Sequence, residues 1–236
     1  MARATNYFGW QSRLVLPHLG RRIVEIGCGI GNFTGLLLDR ELVVAIDVEA
    51  ICVERLRERY PQRPNLHTFV TEEIASLARF APDSVVCLNV LEHIADDRAA
   101  LHQMASILCP GGVIVLLLPA FPALSGPIDR NLGHYRRYTR ASLEQLAGVT
   151  GLRIRRAHYM NTLGFFGWWV NAHLLHREQQ SATQIAIFDR FAVPLMSRVE
   201  AVLPPPFGQS LLAVLERPTS SPARPAKSSP AGMPPA

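Results

Sequence analysis

Short apolar runs alternate with amphipathic segments along most of the chain. The runs are rich in Val, Ile and Leu and have the length of buried strands. We predict seven strands, at residues 22–26, 42–46, 66–70, 85–89, 113–118, 152–159 and 207–216. Helical spacing of apolar positions predicts helices at 6–18, 32–39, 49–60, 74–80, 97–108 and 142–147, the last capped by Thr139. Strands that alternate with helices predict a doubly wound α/β fold, in which helices cover both faces of a mostly parallel sheet.

Three glycines at alternate positions, Gly27, Gly29 and Gly31, follow the first predicted strand. Glycine lets the backbone turn tightly and lets a ligand approach closely. The predicted helix at 32–39 would offer free N–H groups at its first turn. Asp47 ends the second strand, where a carboxylate can hydrogen-bond a ribose diol. The pattern therefore indicates a cradle for a nucleotide cofactor.

The spacing of the glycines bears on which cofactor fits. A dinucleotide fingerprint, G-x-G-x-x-G, would need a third glycine at position 32, which is Asn32 here. Glu25 lies two residues before the first glycine, and a carboxylate there suits an amine-bearing or cationic ligand better than a pyrophosphate. An NAD-dependent oxidoreductase is therefore the second-ranked interpretation.

The loop resembles the first motif of the class I S-adenosylmethionine (SAM) methyltransferases, E-x-G-x-G-x-G. Two further segments extend the resemblance to about residue 120: N-V-L-E-H at 89–93 and L-C-P-G-G at 108–112. The resemblance implies a seven-stranded Rossmann-like fold whose last strand is antiparallel. It also implies SAM as the cofactor and methyl transfer as the reaction. A SAM-binding fold that serves only for partner docking is a further alternative.

The resemblance assigns residues to the cofactor. Asp47 would bind the ribose hydroxyls, and the loop at 27–31 would border the methionine part. An acid after strand three would meet the adenine amine, with Glu73 preferred and Glu72 as the other register. The predicted cofactor-binding residues are Glu25, Gly27, Cys28, Gly29, Gly31, Asp47, Val48, Glu73, Ile74, Asn89 and Val90.

The segment 119–139 is long, carries no predicted helix or strand, and leaves strand five beside the expected methyl donor. Long loops of this kind are uncommon unless they are functional. Residues 133–139 read G-H-Y-R-R-Y-T and are similar to a G-H-x-R-R-Y-T stretch in a subset of small class I methyltransferases. That similarity implies no particular substrate.

A neutral hydroxyl acceptor must lose its proton, and histidine suits that task near neutral pH. His93, after strand four, and His134, in the long segment, are the candidates, and the sequence does not decide between them. Tyr135 and Arg136 flank His134 and are predicted to contact the substrate. The predicted catalytic residues are His93, His134, Tyr135 and Arg136.

The arginine pair at 136–137 suits bidentate binding of a carboxylate or phosphate. The alternative for the residues around His134 is a loop held internally, through pairing with Asp129. No metal site is predicted. Asp96 and Asp97 lie close to a histidine in sequence, but acidic residues also favour the first turn of a helix.

Residues 161–203 form a larger connection than the last two strands require, and we predict an apolar helical insertion. It holds the run L-G-F-F-G-W-W-V at 163–170. Three interpretations stay open: ordinary packing, a lipophilic substrate wall or homodimer face, and peripheral contact with a membrane surface. We expect a small-molecule acceptor that is hydrophobic, lipid-linked or a natural product, with a hydroxyl preferred over an amine.

Length and charge limit the remaining possibilities. The chain of 236 residues fits one larger domain, which we place at 1–216, followed by a disordered tail at 217–236 with six prolines. The net charge is +5, but the arginines are widely spread and form no long basic run. Nucleic acid is therefore not an expected partner.

The cysteines form no C-x-x-C pair, so neither a zinc site nor a disulfide framework is predicted. They are Cys28, Cys52, Cys87 and Cys109. The start of the chain lacks the apolar segment of a signal peptide, and no stretch has the length of a membrane span. A cytoplasmic protein with free thiols is expected, with peripheral membrane contact as an open possibility.

Overall fold

A seven-stranded sheet runs through the middle of the molecule in the computed structural model, which describes residues 4–175 and 181–219. The strands are β1 (Arg22–Ile26), β2 (Leu42–Asp47), β3 (Leu66–Val70), β4 (Ser84–Leu88), β5 (Val113–Pro119), β6 (Arg153–Met160) and β7 (Ser210–Glu216). Their order across the sheet is β3-β2-β1-β4-β5-β7-β6. β7 is antiparallel to both of its neighbours, and the other pairs are parallel. The predicted seven-stranded, mostly parallel sheet is confirmed.

Eight α-helices accompany the sheet in the described part of the chain. They are α1 (Thr5–Val15), α2 (Ala50–Arg59), α3 (Asp97–Ile107), α4 (Pro127–Asn131), α5 (Arg140–Thr150), α6 (Thr162–Trp169), α7 (Ala182–Ile187) and α8 (Val193–Val202). Single 3₁₀ segments lie at Leu16–His18, Thr34–Leu36, Ala75–Phe80, Leu91–His93 and Pro122–Leu124. Among the described residues, no helix combines the length and apolar character needed to cross a membrane.

Both faces of the sheet are covered, as β5 shows. All seven of its residues are buried. Side chains alternate between the faces of a strand, so Ile114 and Leu116 pack into one apolar cluster and Val115 and Leu117 into the other. This burial on both sides explains why the strand sequences are continuous apolar runs.

The predicted α-helix at 32–39 is wrong: that region contains only the 3₁₀ turn Thr34–Leu36. The Leu36 N–H donates to the Phe33 carbonyl and the Leu37 N–H donates to the Thr34 carbonyl, which is the hydrogen-bond pattern of a 3₁₀ turn. Gly35 lies inside the predicted helix and is a poor helix former, and no full helix follows the glycine loop.

The segment 119–139 is more ordered than its sequence predicts. It contains the turn Pro122–Leu124 and helix α4, and it returns beside β5 through a bridge between Ala120 and Tyr138. Thr139 then caps the start of α5, and its side-chain oxygen accepts a hydrogen bond from the Ser142 N–H. The predicted cap of this helix is confirmed.

Residues 162–202 are largely helical in their described part. α6 continues into a π-helical turn at Val170–Leu174, and a second π-helical turn, Phe188–Ala192, joins α7 to α8. That second turn carries the buried Asp189, whose carboxylate accepts hydrogen bonds from the backbone N–H groups of Asn6 and Tyr7. Asp189 thus satisfies free N–H groups at the start of α1, and it fastens α1 to the segment before β7. The predicted tail lies outside the described residues from position 220 onward.

Candidate functional site

The glycine loop passes over the carboxyl end of β2. The backbone N–H groups of Gly27 and Cys28 both donate to the Ile46 carbonyl at 2.9 Å. The Asp47 carboxylate accepts from the Gly29 N–H at 2.8 Å and from the Glu49 N–H at 3.0 Å. Asp47 is therefore held at the mouth of the loop, where the resemblance places the ribose-binding acid.

The three glycines differ in what surrounds them. All three have positive φ angles, a conformation that residues other than glycine rarely adopt. A Cβ on Gly27 would lie 2.2 Å from Val90 Cγ2, and one on Gly31 would lie 2.4 Å from Leu56 Cδ1. A Cβ on Gly29 would meet no atom within 4 Å. Gly27 and Gly31 are therefore required by packing, whereas Gly29 faces open space that a ligand can enter.

Glu25 lies beneath this loop and is almost fully buried. Its Oε2 accepts a hydrogen bond of 2.6 Å from the Thr34 hydroxyl. Burial raises the pKa of Glu25 to about 8, the Thr34 hydrogen bond opposes this shift, and the Asp47 charge adds to it. Asp47 brings a carboxylate to the loop, and Glu25 beneath it would release its proton when a cationic group such as the ammonium of SAM binds nearby. The loop thus fits the SAM assignment, and the individual contacts remain predictions.

The other predicted cofactor residues lie after neighbouring strands at the same edge of the sheet. Asn89 follows β4 with a positive φ, and its N–H donates to the Leu117 carbonyl at 2.8 Å. Val48 is exposed and Ile74 is buried. Glu72 and Glu73 are both exposed, so the structure does not choose between the two registers of the predicted adenine contact.

A histidine pair lies near the carboxyl end of β4. His93 ends the turn Leu91–His93, and His134 follows α4. Their rings meet edge to face, with centroids 4.7 Å apart. One ring nitrogen of each and one carboxylate oxygen of Glu92 all lie within 4.8 Å of one another. The two histidines, which the sequence offered as alternative proton acceptors, thus lie side by side in the structure. Glu92 lies with them and was not predicted from the sequence.

Asp129 orients His134. Its Oδ1 lies 3.0 Å from His134 Nδ1 and accepts a 2.8 Å hydrogen bond from Arg137 Nε. Its Oδ2 accepts from the Gly126 N–H at 3.0 Å. Burial alone would raise the pKa of Asp129, but His134 and Arg137 lower it below its usual value. An ionised carboxylate only accepts hydrogen bonds, so Nδ1 of His134 carries a proton, and Nε2 is the nitrogen that can accept one. The pairing of the loop with Asp129 is confirmed.

The arginine pair does not form an anion site, contrary to the sequence-based expectation. Arg136 donates to the backbone carbonyls of Ile94 and Ala95 at 2.8 and 2.6 Å. Arg137 is buried, pairs with Asp129, and lies 4.8 Å from the centre of the Trp168 ring. Both guanidinium groups are occupied within the protein and fasten the segment to its surroundings.

The remaining predicted catalytic residue, Tyr135, points outward, with 64% of the residue exposed. Its backbone N–H donates to the Glu92 carbonyl at 2.8 Å, which holds the loop beside the turn after β4. No contact links its ring to the histidine pair within the described residues, so its contact with substrate remains a prediction.

The protonation of the histidine pair and Glu92 follows from their surroundings. Burial, and then the neighbouring His134, lower the pKa of His93, so its imidazole is neutral at pH 7. Burial raises the pKa of Glu92 to about 7. His93 therefore offers an unprotonated ring nitrogen near neutral pH, as proton abstraction or metal binding requires.

Comparison with known proteins identifies relatives of this chain. A family model described as a methyltransferase domain matches residues 3–157. A probable S-adenosylmethionine-dependent methyltransferase from Mycolicibacterium smegmatis is 30% identical over 169 residues, which cover 68% of this chain. The match spans 63% of that relative's length.

Solved structures show the same fold. An S-adenosylmethionine-dependent methyltransferase from Mesorhizobium loti superimposes with a TM-score of 0.59 at 17% identity, covering 88% of this chain and 96% of the other. The N-methyltransferase NodS from Bradyrhizobium japonicum, in complex with S-adenosylhomocysteine, superimposes with a TM-score of 0.55 at 17% identity. That match covers 91% of this chain and 86% of NodS.

Proposed function

This chain belongs to the class I SAM-dependent methyltransferases, and from that premise we propose that it methylates a hydroxyl group of a small hydrophobic acceptor. Among the cofactors weighed from the sequence, SAM is the one that its family uses. The NAD alternative lacks the glycine it would need at position 32. A fold retained only for docking gives no reason for the oriented histidine beside the cofactor edge of the sheet.

The observation that carries the hydroxyl assignment is the group formed by Glu92, His93 and His134. A hydroxyl must lose its proton as it is methylated, whereas an amine can react through its own lone pair. Asp129 accepts a hydrogen bond from His134 Nδ1, which leaves Nε2 as the nitrogen that can take up a proton. The group is therefore suited to receive a proton at a fixed position.

The chain's own residues divide the work of the reaction. SAM supplies, when bound, an electrophilic methyl group whose sulfur departs as a neutral thioether. Asp47, Gly29 and Glu25 would hold it at the ends of β1 and β2. The acceptor oxygen would sit against the histidine pair, form its bond to the methyl carbon, and release its proton there. Alignment of donor and acceptor supplies much of the rate enhancement.

Aromatic residues on the side of the site where the acceptor would bind support a hydrophobic substrate. Phe121, directly after β5, stacks on Tyr159 with ring centroids 4.6 Å apart. Phe165 meets Phe121 edge to face at 5.6 Å and meets Phe207 at 5.1 Å. Trp168 lies on α6, as Phe165 does, and its Nε1 lies 3.4 Å from Oδ2 of the Asp129 carboxylate. An apolar helical segment thus lies directly against the residues that orient His134.

Residues 162–202, which include α6, also expose large apolar side chains. They include Phe166, Trp169, Leu174, Ile187, Phe191, Leu195 and Val202. This surface supports a lipophilic or lipid-linked acceptor, with homodimer contact and peripheral membrane contact as the alternatives. Sedimentation with neutral vesicles and measurement of the mass in solution separate the alternatives from acceptor binding.

The test is radiolabelled methyl transfer to matched acceptors. Phenols and alcohols of increasing alkyl length are compared with amines of the same carbon skeleton. We expect turnover with hydroxyl acceptors that rises with alkyl length. His134→Gln should lower kcat by about 100-fold or more and leave SAM affinity unchanged, whereas His102→Gln, an exposed position on α3, should change neither. Transfer to amines alone, or full activity in His134→Gln, would contradict the proposal.

A further inference from the structure

Three potential metal ligands converge near the end of β4. One oxygen of Glu92 and one nitrogen each of His93 and His134 lie within 4.8 Å of one another. Nitrogen and oxygen ligands of a transition metal stand about 2.0–2.2 Å from the ion, so their mutual distances are roughly 3–4 Å. The three side chains need to close by only about 1 Å to share an ion. Within the described residues, no other group of three such side chains comes this close.

An independent observation at Glu92 points to a missing ligand. The residue is 1% exposed, and its Oε2 has no hydrogen-bond partner among the described residues. A buried carboxylate oxygen without a partner is unfavourable, and such atoms are rare in folded proteins. A cation between Glu92 and the two imidazoles would satisfy this oxygen.

The surroundings of His134 match those of a metal ligand. Metal-binding histidines usually donate their second ring N–H to a carboxylate or carbonyl, which fixes ring orientation. His134 Nδ1 lies 3.0 Å from Asp129 Oδ1. Asp129 is itself fixed by Arg137, whose guanidinium lies 2.8 Å from the same oxygen. This leaves His134 Nε2, on the other side of the ring, as the nitrogen that can bind an ion.

We propose that Glu92, His93 and His134 bind one divalent transition-metal ion. Two imidazoles and one carboxylate select zinc, iron, cobalt or manganese rather than the all-oxygen coordination that magnesium and calcium prefer. Three protein ligands leave at least one coordination position open, as in catalytic rather than structural sites.

The open position assigns a role to the ion, and this step rests on the proposed function. With the ion bound, His93 and His134 would serve as its ligands and would no longer take up the proton of the acceptor. An acceptor hydroxyl bound to the ion would have a lowered pKa, and its proton would pass to water before the oxygen attacks the methyl carbon. Acceptors with two adjacent oxygens, such as catechols, would be favoured because both oxygens can bind the ion. The binding of the ion itself does not depend on this step.

The experiment measures metal binding by the chelator-stripped, tag-free chain. Calorimetry with Zn²⁺ and Mg²⁺ gives affinity and stoichiometry, and the visible spectrum of added Co²⁺ reports the ligand set. The variants are Glu92→Gln, His93→Ala and His134→Ala. His102→Ala is the matched control, because His102 is an exposed histidine outside the group. Circular dichroism establishes that each variant is folded, and Glu92→Gln should fold readily because it keeps the shape of the side chain and removes the charge of a buried carboxyl group.

We expect one Zn²⁺ per chain, at least 100-fold weaker binding in each ligand variant, and unchanged binding in His102→Ala. Mg²⁺ should bind at least 100-fold more weakly than Zn²⁺. Stoichiometric Zn²⁺ binding that survives all three ligand substitutions, or no binding by the folded wild-type chain, would overturn the proposal. SAM is titrated into the same samples. If the wild type binds SAM but no metal, only the metal site is refuted. If the wild type does not bind SAM, the proposed function is refuted.

Discussion

Replacing Glu25 with glutamine should make the stability of the protein less sensitive to pH. Burial raises the pKa of Glu25 from its ordinary value of 4.5 to about 8 in the folded chain. Between these values the unfolded chain has released a proton that the folded chain still binds. The free energy of unfolding therefore falls as the pH rises through this window, and the contribution levels off above the folded pKa.

The size of the effect follows from the two pKa values. Each pKa unit corresponds to about 1.4 kcal/mol. Integrated from pH 5 to pH 7, the linkage relation gives a loss of about 2.5 kcal/mol of stability through Glu25. Glu92, whose pKa is raised to about 7, changes stability in the same direction. Because Glu92 is present in both proteins, its effect cancels in the comparison.

The assay is urea denaturation of wild type and Glu25→Gln at pH 5, 6 and 7. Glutamine keeps an oxygen that accepts the Thr34 hydroxyl proton, so the geometry under the loop is retained. The difference in unfolding free energy should shift in favour of the variant by about 2.5 kcal/mol across this range. Glu72→Gln makes the same chemical change at an exposed position and should show no such shift. A constant difference between Glu25→Gln and wild type would refute the reasoning.

Three further predictions concern packing and local structure. Gly29→Ala should lower the free energy of unfolding by about 1 kcal/mol because of its positive φ, and it should weaken SAM binding at least tenfold. Gly27→Ala should lower the free energy of unfolding by about 2–4 kcal/mol because its Cβ meets a side chain. Equal stability losses in the two variants would contradict this difference. Thr139→Ala removes the cap of α5 and should cost about 1 kcal/mol in urea denaturation, and no change would mean that the cap is dispensable. Asp129→Ala leaves Arg137 buried without its counter-charge and should cost about 3–5 kcal/mol, with a smaller loss in the Asp129→Ala, Arg137→Met double variant.

The strands were predictable because buried strands appear in the sequence as short apolar runs. β1 and β3 have the predicted bounds, and the other strands differ from the prediction by a few residues at most. The helix at 32–39 could not be judged from apolar spacing alone. Phe33 and Leu37 are buried in the structure without an α-helix, so their spacing does not distinguish an α-helix from a 3₁₀ turn between loops.

The candidate site was predictable only in part. The glycine loop and Asp47 are close in the fold because both follow neighbouring parallel strands, and strand order follows from the family pattern. The meeting of His93 with His134 depends on how the segment after β5 folds back, and no local pattern reveals that. The burial of Glu92 and the internal use of Arg136 arise from the same folding back of this segment, and polar residues in a turn give no sign of it.

Calorimetric titration with SAM is the measurement that tests the central claim most directly. Wild type, Asp47→Asn and the control Glu144→Gln, at an exposed position on α5, would each be titrated with SAM and with S-adenosylhomocysteine. We predict one site per chain for both ligands in wild type and control, and at least tenfold weaker binding in Asp47→Asn, which loses the charge held at the mouth of the glycine loop. A folded wild-type chain that binds neither ligand, or an Asp47→Asn variant that binds both as tightly as wild type, would contradict the account.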